Sequence, residues 1–206
     1  SLLWERMVCL SPSFSEYLLP KLCGAFPDLS SSATADDLYG AMNVVRSPSL
    51  IRVESDEVTY PMHIIIRYEI ERALMSGSID VNDIPDLWES KMQEYLGCRP
   101  KTNAEGCLQD VHWSVGAIGY FPTYSLGAMY ACQIMQAAEA ELPGIHDDIA
   151  SGKFGDLKAW LNTKVHAVGS YYPSGDELMT EVTGSPLKPE VFLQYLNKKY
   201  TPLYKL

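Results

Sequence analysis

Nineteen residues in the middle of the chain, 106–124, gather an unusual share of the groups able to do chemistry. They hold a carboxylate (Asp110), an imidazole (His112), an indole (Trp113) and two phenols (Tyr120 and Tyr124). Gly116 and Gly119 lie among them and free the backbone to take positive φ and to approach a ligand closely. A glycine-rich loop that carries polar aromatics and feeds a helix is a common place to hold a binding site. The plainer reading is a structural loop whose Trp and Tyr rings are core residues with satisfied polar tips.

Other chemistries find less support. The four histidines (63, 112, 146 and 166) form no H-x-x-x-H or H-x-H pair, and the five cysteines (9, 23, 98, 107 and 132) include no C-x-x-C. Thiolate zinc sites need paired spacing, so no metal site is expected from these residues alone. The odd count of thiols favours reduced, mostly buried cysteines and a cytoplasmic protein over a disulfide framework. Cys107 near His112 is read as a small buried hydrophobe, not a nucleophile.

The frame that must position the loop is 206 residues long and 47% apolar, enough for a substantial core. With a formal net charge of −10 and no basic cluster larger than a neighbouring pair, it has no footprint for nucleic acid. Its apolar runs, Ile64, Ile65 and Ile66 among them, are far too short for a membrane span. The opening residues read like the middle of an amphipathic helix without a signal-peptide layout, so the chain is expected to come from something longer.

Helical periodicity dominates. An amphipathic segment through Leu3, Met7 and Leu10 stops at Ser11 and Pro12, and Ser13 is the expected cap of the next helix, which Pro20 limits or bends. Thr34 and Asp37 make an acidic capping box. β-Branched residues and alternation over 47–54 predict one short edge strand, centred on Leu50 to Glu54. A long helix is expected from 56 or 57 to 75, or from Tyr60 if Pro61 delays it, with Val58, Met62, Ile65, Ile66, Ile70, Ala73 and Leu74 inward. His63, Arg67 and Glu71 share another face at four-residue steps and read first as a solvated flank. Further helices are expected over 83–96, 123–142, 154–168 and 177–183, and from Pro189 to Pro202. That of 123–142 should be deep, because its Gly and Ala residues admit a close neighbour. The sum is one mainly α domain over 1–206 with a minor β element.

Several segments closely resemble the thermostable (Taq-type) metallocarboxypeptidases. They are Leu3-Trp4-Glu5, Ile51-Arg52-Val53-Glu54-Ser55-Asp56 with Glu57-Val58-Thr59-Tyr60, and Gly106-x-x-Gln109-Asp110-x-His112-Trp113. Gly119-Tyr120-Phe121-Pro122-Thr123-Tyr124-x-Leu126-Gly127 follows, and the likeness continues through Trp160-Leu161, Val182-Thr183-Gly184 and the ending with Lys199-Tyr200 and Tyr204. The resemblance implies a helical multi-helix fold akin to neurolysin and angiotensin-converting enzyme. It also implies removal of C-terminal residues from peptides by metal-activated water, with zinc or cobalt, in a cytosolic homodimer. The family's H-E-x-x-H and the glutamate of its His-Glu-Ser-Gln segment are absent. The chain therefore resembles the C-terminal half of such an enzyme, holding no metal alone and depending on the missing N-terminal half.

By the same resemblance, His112, Tyr120 and Tyr124 are the expected oxyanion donors, and Arg52 the group that binds the substrate carboxylate. Gln109, Asp110 and Asp56 stand behind them, with Gln109 or Asp110 setting the imidazole tautomer. Alternatives stay open: Gln109 and Asp110 as loop staples, and Arg52 as a structural pair with Glu54 or Asp56. Ser55, Pro61, Val115, Ala117 and Val168 depart from the family pattern, the last removing an expected histidine. A non-catalytic helical module that docks a partner protein through the Tyr-rich loop is the other function class considered.

Overall fold

A computed structural model describes residues 1–206, the side chains of Ser30 and Ser31 excepted. Its α-helices are α1 (Pro12–Ala25), α2 (Ala35–Met42), α3 (Tyr60–Met75), α4 (Ile84–Leu96) and α5 (Pro122–Glu141). They continue as α6 (Ile145–Ala150), α7 (Gly155–Leu161), α8 (Gly175–Thr183) and α9 (Pro189–Tyr204). Leu3–Cys9 and Asn162–His166 are π-helical turns. Local chemistry sets most boundaries. Ser11, not Ser13, caps α1 by accepting from the Phe14 N–H, because Pro12 takes the first helical position, where its missing donor costs nothing. The Thr34–Asp37 capping box forms as expected. Gly97 and Gly184 end α4 and α8 in left-handed conformation, which glycine adopts without a Cβ penalty. Pro20 and Pro202 are carried inside α1 and α9 and stop neither.

The chain divides into two compact units, Ser1–Asn43 with Gly127–Leu206, and Val44–Leu126. In the first, the small face of α5 (Ala128, Ala131, Cys132, Ala138) lies buried among Leu3, Val8, Ile149, Leu157 and Phe192, as its composition predicts. In the second, Ile66 and Ile70 of α3 pack with Ile84, Trp88, Met92 and Leu96 of α4. All five cysteines are free thiols, and burial raises the pKa of the Cys107 thiol, which favours its protonated form.

Three expectations need correction. No strand occurs among the described residues, and the predicted strand is a short 3-10 turn at Arg52–Glu54. The reason is one side chain. The Gln109 amide accepts from the Arg52 N–H and donates to the Leu50 carbonyl, satisfying the two backbone groups that a neighbouring strand would have paired. The row His63, Arg67 and Glu71 is no solvated flank either: these residues are 0%, 0% and 6% exposed. Ile65, expected inward, is exposed instead.

Candidate functional site

The buried polar row of α3 organises the loop at 106–121. Arg67 lies with its guanidinium 4.6 Å from the Trp88 ring centre and 5.4 Å from that of Phe121, aromatic contacts that suit a delocalised cation. Its Nη1 donates to the His63 carbonyl at 2.8 Å, its Nε to Asp110 Oδ2 at 2.7 Å and its Nη2 to Gln109 Oε1 at 2.8 Å. Burial pulls its pKa down to about 10, opposed by Asp110, so it stays charged at neutral pH.

Asp110 is shared. Its Oδ1 accepts from Arg52 Nη2 at 2.7 Å and from Arg52 Nε at 3.2 Å. Burial works against its charge, yet the two arginines hold its pKa below the usual carboxylate value. Arg52 also donates Nη1 to the Tyr60 hydroxyl at 2.9 Å, and its guanidinium carbon lies 5.0 Å from the Tyr124 ring centre. Burial opposes its charge as well, but the Asp110 bond and charge raise its pKa on balance. Neither Glu54 nor Asp56 takes the Arg52 side chain. A guanidinium has five N–H donors, so these bonds leave Arg52 one N–H on each terminal nitrogen. Two cations on one carboxylate give the group a net positive charge.

Gln109 spends both amide ends on structure. Besides the bonds to Leu50, Arg52 and Arg67, its Nε2 donates to the Glu105 carbonyl at 2.8 Å. It therefore staples the loop and leaves no atom for the imidazole. Asp110 does not hydrogen-bond the imidazole either, since His112 Nδ1 lies 3.8 Å from Oδ1 and, although buried, has no hydrogen-bond partner. His112 instead meets Tyr124, Nε2 to hydroxyl at 2.9 Å. Its ring lies 4.4 Å from that of Phe121 and 5.7 Å from that of Tyr120, whose side chain is about half exposed. Burial raises the Tyr124 pKa against the pull of Arg52, keeping the phenol protonated.

Of the predicted residues, Arg52, Gln109, Asp110, His112, Tyr120 and Tyr124 are thus brought into one contact network. Asp56 stands apart, accepting from the Val58 and Thr59 N–H groups and from the Thr59 hydroxyl just before α3. Missed by sequence reasoning were Arg67, Tyr60, and Glu71, which accepts from Trp113 Nε1 at 2.8 Å and from the Gly119 N–H. A signal existed: Ile64, Ile65 and Ile66 cover about 200° of the helix circumference, leaving little room for a solvent face. Among the described residues no group of three His, Cys, Asp or Glu side chains could hold a metal ion. A separate groove of about 840 Å³ in the first unit, lined by Arg6, Met7, Met135, Tyr195 and Lys199 among others, includes none of these residues.

Comparison with known proteins agrees along the length of the chain. Residues 1–200 match the model of the carboxypeptidase Taq (M32) metallopeptidases. Carboxypeptidase 1 of Bacillus subtilis is 43% identical over 206 residues, all of this chain and 41% of its own length. Thermostable carboxypeptidase 1 of Thermus thermophilus is 43% identical over 201 residues, 98% of this chain and 39% of its own. The crystal structure of the M32 carboxypeptidase from Deinococcus radiodurans superposes with a TM-score of 0.94 at 37% identity, over 99% of this chain and 41% of that one. The chain thus spans about two fifths of the length of the curated relatives it matches.

Proposed function

This chain belongs to the carboxypeptidase Taq (M32) metallopeptidase family, and we propose that it supplies the substrate-binding side of an enzyme that removes C-terminal residues from peptides. The observation that carries this reading is the Arg52–Asp110–Arg67 group beside the His112–Tyr124 pair. An exopeptidase must recognise a free carboxylate at the chain end. Arginine matches it in bidentate fashion, and Arg52 retains one N–H on each terminal nitrogen for that purpose. Asp110 and Tyr60 hold the fork before substrate arrives, so little ordering remains at binding.

The His112–Tyr124 pair supplies a donor for the oxygen that gains charge as the scissile carbonyl is attacked, the imidazole holding the phenol in place. When the imidazole carries its proton on Nε2, it donates to the Tyr124 oxygen and leaves the phenol proton for the substrate. When the proton sits on Nδ1, the phenol donates to Nε2 and the Nδ1–H lies on the Asp110 side. Tyr120, at the exposed rim, is a further donor.

The metal implied by the family finds no ligand set among the described residues. We assign its ligands, and zinc or cobalt as its identity, to the part of the family's length that this chain does not span. Both compact units are read as parts of one catalytic domain, and a cytoplasmic homodimer as the working form. The test uses the protein at full family length, loaded with either metal and given a peptide of defined sequence. Mass spectrometry should show stepwise loss from the C-terminus and little attack on the same peptide with an amidated end. Internal cleavage, or equal attack on both forms, would contradict the proposal.

A further inference from the structure

Glu71 has no part in the binding scheme above, yet both flanks of the loop hang on it. It is 6% exposed, and among the described residues no cation pairs with it. Its two bonds run to neutral N–H groups, the Trp113 indole at Oε2 and the Gly119 backbone at Oε1. Trp113 immediately follows His112 and Gly119 immediately precedes Tyr120, so one carboxylate fixes the neighbours of two proposed donors. The loop between turns back through Gly116 and Gly119, both at positive φ. The indole is also held edge-on by Trp88 at 6.2 Å and Phe121 at 5.8 Å, so its N–H has a set direction.

A buried carboxylate without a counter-ion is a costly way merely to hold a loop. Its use is geometric: two donors converge on it, and a carboxylate offers an acceptor oxygen to each, which a neutral amide does not. We propose that Glu71 is a positioning residue, which sets where His112 and Tyr120 stand by pinning Trp113 and Gly119. This rests on reading the loop as the side of the site that receives the developing oxyanion.

The test compares Glu71→Gln, Glu71→Asp and the wild type at full family length, each alone and combined with His112→Ala. Glu71→Gln should lower kcat by about ten- to a hundredfold, the scale of a small misplacement of catalytic groups. KM should change less than about twofold and metal content not at all, and adding His112→Ala should cost less than the product of the two single losses, since Glu71 acts in part through His112. Amide hydrogen exchange across 113–119 should quicken in Glu71→Gln while α4 stays protected. Multiplying losses in the double variant, unchanged exchange in the loop, or protection lost throughout both single variants would overturn the role. If the wild type releases no C-terminal residue, the proposed function falls, and the exchange result alone decides for or against Glu71.

Discussion

Arg52 and Arg67 share one carboxylate, and much of the site's character follows from that sharing. With Asp110 present, two guanidiniums stand close together at a net charge of one. Without it they would repel, and Arg67, wholly buried, would lose its counter-ion. The residue types of this group were legible in the sequence, because Asp110, His112, Tyr120 and Tyr124 crowd one glycine-rich loop. Their partners were not. Asp110 at two positions from His112 looks like its orienter, but loop geometry turned it toward arginines 58 and 43 residues away in sequence. For the donors, Tyr124→Phe or His112→Ala at full family length should reduce kcat by about a hundred- to a thousandfold, the usual scale for one oxyanion donor. Steady-state kinetics with elemental analysis checks this, and metal content should stay unchanged, since neither residue is proposed as a ligand.

α3 shows how a readable period can hide a face. Its apolar spacing announces a helix, and Pro61 allows a start at Tyr60 without fixing it, yet on spacing alone the polar row reads as a solvated flank. In the fold that row is the inner surface on which the loop is built, and the strand expected beside it gives way to the bonds of Gln109. Long-range pairing of this kind leaves no periodic trace. His63 offers a test of the burial. Burial, with the nearby charge of Arg67 next, lowers its pKa from the ordinary 6.5 to about 4, against the opposing pull of the Ser49 backbone and Asp110. Between those values the unfolded chain binds a proton that the folded chain refuses, so stability rises with pH. This contribution is full above pH 6.5 and is lost progressively as pH falls toward 4, by about 3 kcal/mol. Urea titrations of wild type and His63→Gln across that range should therefore show a shallower acid loss in the variant. Identical slopes would mean that His63 titrates normally.

At the scale of the whole molecule, the chain spans about two fifths of its curated relatives' length. It also exposes large apolar side chains, among them Val53, Leu108, Val111 and Val115, and carries the groove of the first unit. Apolar surface beyond a few hundred Å² is unusual on a soluble monomer. The 206-residue chain by itself is therefore expected to self-associate, which light scattering across a concentration series would show, and a monomer at every concentration would contradict. The central claim concerns Arg52. Its measurement is kcat/KM at full family length for wild type and Arg52→Ala, on one peptide with a free C-terminus and the same peptide amidated. Arg52→Ala should lower kcat/KM on the free peptide by about ten- to a hundredfold, the worth of a charge-assisted hydrogen bond, and much less on the amide. Equal losses on both peptides would show that Arg52 holds the fold and not the substrate carboxylate.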